Sequence, residues 1–148
     1  MPRPRPRPSP QHPDAEIITS FPGLGDLNGA RVLAELGDDR DRFTDARSVK
    51  AYAGSAPITL ASGKSYVVHH RKVKNQRLAA AGFVWAFASL RSAGPRAHYD
   101  HRHAIGNRHS SALRNTFSRT LGCLHHCLQT GQLYDENAAF GIRLQAAA

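Results

Sequence analysis

The chain has 148 residues, 41% of them apolar and 7% aromatic, with a formal net charge of +9 and a mean hydropathy of −0.46. That is room for one domain with a modest core. It holds no apolar run near the ~18 residues that a membrane span needs, and the arginines at its start lack the apolar stretch of a secretory signal.

The charge is unevenly laid out. Eight of the eleven acidic residues lie at or before Asp45. From Ala46 to Tyr99 there is no Asp or Glu, against Arg47, Lys50, Lys64, Arg71, Lys72, Lys74, Arg77, Arg91 and Arg96. Such a one-sided stretch favours a polyanion, and nucleic acid is the expected one, through phosphate neutralisation and counterion release. A plain basic solvent surface or an anionic membrane face are the alternatives.

In chain order, residues 1–13 alternate proline with arginine. A missing amide and a fixed φ keep such an arm out of helix and sheet, so it is predicted to be disordered. It reads first as a leader from a misplaced start codon and second as a basic arm grazing DNA. The domain proper is placed at 14–134. A short helix is expected over Asp14–Ser20, then Phe21-Pro22-Gly23-Leu24-Gly25, then a second helix over Asp26–Leu36 ending at Gly37. Thr44 or Asp45 caps a third helix that ends at Gly54. Pro57 to Val68, with β-branched Ile58, Thr59, Val67 and Val68, is expected to be an extended loop or weak hairpin around Ser62-Gly63-Lys64-Ser65. Asn75–Ser92 is predicted as an Ala-rich helix with Leu78, Gly82, Trp85 and Ser89 on one stripe and Phe83, Phe87 and Leu90 on another. Gly94-Pro95 is read as a break before a helix over Arg96–Ile105. The last helix, Ser110–Gln129, aligns Leu113, Phe117, Leu121, Leu124 and Leu128. The tail, 135–148, is expected to be flexible. The fold class is mainly α: a helix-hairpin-helix plus a small helical bundle, with one extended Ser-Gly-Lys loop or weak hairpin.

Two elements carry chemistry. In the first hairpin, Gly23 and Gly25 are expected to adopt conformations closed to other residues and to let a phosphate reach the backbone amides at the start of the second helix. An ordinary corner needing glycine for geometry alone is the competing reading. In the second element, a serine flanked by Gly63 and Lys64 is a candidate nucleophile. Lys64, Arg71 and Lys72 would neutralise phosphate charge, and His69 or His70 would act as base. Ser-Gly-Lys-Ser is not a nucleotide-binding loop, because the upstream glycine is replaced by Pro57 or Ile58.

Other groups read as structural. His98, His101, His103 and His109, with Asp100, have spacings open to a metal, but partner-facing or solvent-exposed side chains are the preferred reading. Cys123 and Cys127, four apart beside the leucine stripe, read as small core hydrophobes in a reducing compartment. Trp85 reads as core rather than as a base-stacking platform.

The ordered pieces HPDAEIITSFPGLGDLNGARVLAELGD, RFTDARSVKAYAGSAPITLASGKS, VVHHRKVKNQRL, the helix with Trp85-Ala86 and Leu90, RAHYDHRHAIGNRHSSALRNTFSRTL and QLYD resemble the C-terminal domain of insertion sequence 110 family transposases (the 116/110/902 group). The resemblance spans about residues 12–135. It implies recombination of DNA through a serine nucleophile in the Ser-Gly-Lys loop: Ser62 here, with Ser65 as the fallback and Ser55 third. It also implies an N-terminal domain with four acidic residues that bind divalent metal, and a guide RNA from the element. Asp14, Glu16, Asp26 and Glu35 offer no such constellation, so Mg²⁺ is expected only with that N-terminal domain and no cofactor is expected in this chain.

The expectation is therefore a DNA-binding, serine-bearing C-terminal domain of a transposase. It is taken as a truncated remnant, inactive in isolation, with Gly23, Gly25, Lys64, Arg71, Lys72, Lys74 and Arg77 on nucleic acid. DNA is the expected partner, with a guide RNA and self-association as further expectations, in the cytoplasm at the nucleoid. The alternative is a non-enzymatic helix-hairpin-helix module using the same basic surface.

Overall fold

A computed structural model describes residues 14–37, 39, 41–55, 58–62, 65–69 and 75–141, with 58–62 and 65–69 as backbone. The arm at 1–13 and the end of the tail at 142–148 lie outside the described residues. Seven helices and one hairpin are seen among them: α1 Ala15–Thr19, α2 Asp26–Leu36, α3 Ala46–Tyr52, β1 Ile58–Ser62, β2 Ser65–His69, α4 Gln76–Ser89, α5 Ala93–Ala104, α6 His109–Thr130 and α7 Glu136–Phe140.

Helix α6 is the axis of the bundle. It packs against α1, α3, α4, α5 and α7, while α2 lies on α4 and α1. Being covered from several sides explains why α6 buries more than one stripe. Leu113, Phe117, Leu121 and Leu124 are buried as the periodicity predicts, and Thr116 and Thr120 are buried beside them. Each threonine hydroxyl donates to the carbonyl four residues back, at 2.9 and 3.0 Å, so neither enters the core unpaired.

Trp85 of α4 lies at the centre, fully buried. Its ring meets Phe21 and Phe117 edge-on, with centroids 5.8 and 6.0 Å away, and its indole N–H donates to the Pro22 carbonyl at 3.0 Å. The structure thus makes Trp85 core, as expected. The close approach of α4 and α6 depends on Gly82: a Cβ there would lie 2.2 Å from the Phe117 ring.

Caps set the helix starts. The Asp45 carboxylate accepts from the Ser48 amide at 2.8 Å, and Asn75 accepts from the Leu78 amide at 2.9 Å. Hydrogen bonds from the Ser48 hydroxyl and amide hold the Asp45 carboxyl below the usual range.

Two expectations are corrected. Gly94-Pro95 does not break the chain between helices; both sit in the first turn of α5, which starts at Ala93. Proline is tolerated there because first-turn amides have no acceptor within the helix. The tail is not loose from residue 135, because Asp135 caps α7 and Ala139 and Phe140 are buried. Glu136 reaches back to the start of α5, accepting from the Gly94 amide at 3.1 Å and from the Ser92 hydroxyl. Tyr134 joins the same strap: its amide donates to the Ser20 hydroxyl at 3.0 Å, and its ring lies 4.7 Å from that of Phe21. Burial and neighbouring Glu136 push the Tyr134 phenol well above its ordinary pKa.

Candidate nucleic-acid interface and serine hairpin

The segment bearing the candidate serines leaves α3 and returns to α4, and one hydrogen-bonded knot holds both ends. The Asn75 amide N–H donates to the Tyr52 carbonyl at 2.8 Å. The Asn75 side-chain amide donates to the Tyr52 hydroxyl at 2.6 Å and to the Glu35 carboxylate at 3.0 Å. From the other side, Arg42 donates to the Tyr52 hydroxyl and to the Glu35 and Leu36 carbonyls, each at 3.0 Å. Its guanidinium lies 4.9 Å from the Tyr52 ring centroid, a cation–π distance. Entry and exit are therefore fixed to α2, α3 and α4 together.

Beyond the knot the backbone pairs as an antiparallel hairpin. Its register runs from Ile58 opposite His69 to Ser62 opposite Ser65. Ser62 and Ser65 thus form the closing pair, flanking residues 63 and 64. Ser55 is set apart: it is buried, and its hydroxyl donates to the Lys50 carbonyl at 3.2 Å. The register also corrects the reading of His69 as the base. It pairs at the far end of the hairpin, four residues from Ser65, or about 13 Å along a strand.

Of the other predicted site residues, Lys64, Arg71, Lys72 and Lys74, together with His70, lie outside the described residues. Arg77 is exposed in the first turn of α4. The two glycines of the first hairpin part company. Gly23 has φ +83°, and a Cβ there would lie 2.6 Å from the Ser89 amide nitrogen and 2.8 Å from the Trp85 carbonyl oxygen. The close approach it permits is that of α4. Gly25 has φ −76° with no atom within 4 Å of a notional Cβ, so the expectation that its conformation is closed to other residues is wrong.

Gly25 caps α2 without a side-chain hydrogen bond, which leaves a clean test. Gly25→Ser adds a better capping group in open space and is expected to hold or slightly raise stability. If the first-turn amides contact phosphate, the serine hydroxyl competes for them, and duplex DNA affinity falls about fivefold, the scale of one hydrogen bond worth roughly 1 kcal/mol. A folded variant with unchanged affinity, measured by anisotropy, would make this turn purely structural.

Among the described residues no three His, Cys, Asp or Glu side chains gather as a metal site. Two of the histidines contact Tyr99: its hydroxyl bonds His109 Nδ1 at 2.5 Å, and its ring stacks on His103. Cys127 is buried and Cys123 half-buried, and burial pushes both thiols up, which makes them poor ligands and nucleophiles. Sequence reasoning missed the Tyr52–Asn75 knot. Its one local sign was Asn75 before an apolar helix, a capping pattern.

Residues 15–103 match the family model described as "Transposase IS116/IS110/IS902 family". The chain is 61% identical over 139 residues to the "Mini-circle putative transposase for IS117" of Streptomyces coelicolor, covering 93% of this chain and 34% of that protein. It is 34% identical over 138 residues to the 43.6 kDa protein of insertion element IS110 from the same organism, covering 91% and 34% respectively. It is also 33% identical over 126 residues to the 42 kDa protein of insertion element IS900 of Mycobacterium paratuberculosis, covering 84% and 32%. The chain thus spans about a third of the length of these relatives.

Proposed function

Since the chain belongs to the transposase family of insertion sequences 116, 110 and 902, we propose that it is the DNA-contacting, serine-bearing C-terminal part of such a transposase, acting in transposition and site-specific recombination. The observation that carries this reading is the hairpin register. It puts Ser62 and Ser65 at the closing pair of a segment anchored at Tyr52 and Asn75, inside the acid-free stretch.

In the proposed step the Ser62 hydroxyl oxygen attacks a backbone phosphorus. The P–O bond to the departing strand breaks, and the leaving oxygen takes up a proton. The serine proton passes to solvent water, since His69 lies too far along the strand to take it. Lys64, Arg71, Lys72 and Lys74 offset charge on the phosphate, and Arg77 and the first turn of α2 hold the flanking backbone as in a helix-hairpin-helix. No group of carboxylates among the described residues suits a divalent metal, so no step is assigned to one; Mg²⁺ belongs to the proposal only with the acidic part of a longer transposase. A guide RNA and self-association belong to that larger assembly, in the cytoplasm at the nucleoid. Among the described residues no helix is long and apolar enough to cross a membrane.

The test has two readouts. The 148-residue chain should bind duplex DNA with little sequence preference, losing affinity at least tenfold between 50 and 200 mM salt, as expected for several phosphate contacts. Supplied with the N-terminal part of a related intact transposase and its RNA, it should form a covalent protein–DNA adduct that Ser62→Ala abolishes. Adducts that survive Ser62→Ala but vanish in Ser65→Ala would move the nucleophile. Duplex binding with no serine-dependent adduct would leave a non-enzymatic binding module.

A further inference from the structure

Helix α4 buries one side around Trp85 and leaves the opposite side open. Phe83, Val84 and Phe87 are 50%, 56% and 62% exposed, although phenylalanine and valine are costly to leave in water. All three fall on one face, with exposed Ala80 in line, exposed Arg77 at its edge and exposed Arg91 in the turn that follows the helix. Phe83 also borders a cavity of about 320 Å³ that Ala53, Ser110, Leu113, Arg114 and Phe117 help to line.

Charge selects among occupants. A second copy laid along this face would bring arginines together in either orientation: Arg91 against Arg91 if parallel, Arg77 against Arg91 if antiparallel. There is no acidic residue from Ala46 to Tyr99 to offset them. What complements flat aromatic rings between guanidinium groups is a polyanion with flat faces. Phe83 and Phe87 are one turn apart, about 6 Å along the axis, close to two stacking intervals of about 3.4 Å. We propose that this face binds unpaired bases of single-stranded DNA, stacked on Phe83 and Phe87, with one base entering the cavity beside Phe83 and phosphates on Arg77, Arg91 and Arg114. The inference rests on the transposase reading, which supplies both the DNA and the separated strands of an exchange.

The experiment is anisotropy of a labelled oligo(dT) and of a labelled duplex with the 148-residue chain, for wild type and for paired Phe83→Leu/Phe87→Leu and Phe83→Tyr/Phe87→Tyr variants. Exposure of both positions keeps the variants folded, which circular dichroism verifies. The leucine pair should weaken oligo(dT) binding about a hundredfold, roughly tenfold per ring, and leave duplex binding unchanged. The tyrosine pair, which keeps the rings, should bind like wild type. A leucine pair with wild-type oligo(dT) affinity overturns the inference and gives the face to an apolar protein contact. Tighter binding of oligo(rU) than oligo(dT) overturns it in favour of RNA. Wild type that binds neither strand form overturns the DNA reading beneath it.

Discussion

Trp85→Ala is expected to cost about 3–5 kcal/mol, the range for removing a large buried aromatic side chain. Against a domain stability of about 5–15 kcal/mol, that removes a fifth or more and leaves a marginal fold. The loss has two origins. A void opens beside Phe21 and Phe117, which both pack against the ring. The Pro22 carbonyl also loses the indole N–H at 3.0 Å, and with it the tie between the first hairpin and α4. Trp85→Phe fills most of the void but not the hydrogen bond, and should cost about 1–2 kcal/mol. Urea denaturation followed by circular dichroism measures both. A loss below 1 kcal/mol for the alanine variant would mean that the ring is not the centre of the core.

At Asn75 two roles can be separated. Asn75→Ala removes the cap on Leu78 and the donations to Tyr52 and Glu35, for an expected loss of about 2–4 kcal/mol. Asn75→Ser keeps a capping oxygen and loses only the donations, so it should recover about 1 kcal/mol of that. Adduct formation should fall in both variants, because both loosen the stem beneath Ser62. Thermal melts and the adduct assay read the two effects independently. If the serine variant were as stable as wild type, the bonds to Tyr52 and Glu35 would contribute nothing to folding.

The parts of the fold that were legible are those set by local period and punctuation. Helix α2 follows from its amphipathic spacing and Gly37, and its bounds, Asp26 and Leu36, are those expected. The leucine stripe of α6 and the core placement of Trp85 follow from period alone. What escaped depends on distant residues. Helix α7 has five residues, and its anchor Glu136 bonds groups 42 and 44 positions back, which no local window contains. Gly23 and Gly25 look equivalent in sequence, but only Gly23 meets α4, and that contact is tertiary. The hairpin was legible from its β-branched residues. The knot that holds it was not, because Tyr52 and Asn75 are 23 apart and Glu35 is 40 from Asn75.

That knot has an evolutionary consequence. A segment whose two ends are tied side by side behaves as an exchangeable cassette: its length and composition can drift while the helices below keep their places. Doubling such a loop costs only about 0.6 kcal/mol in closure entropy, less than one of the hydrogen bonds at the stem. Selection can therefore rework the hairpin between Tyr52 and Asn75 at little expense to folding. An experimenter can do the same, grafting the corresponding segment of a relative onto this scaffold.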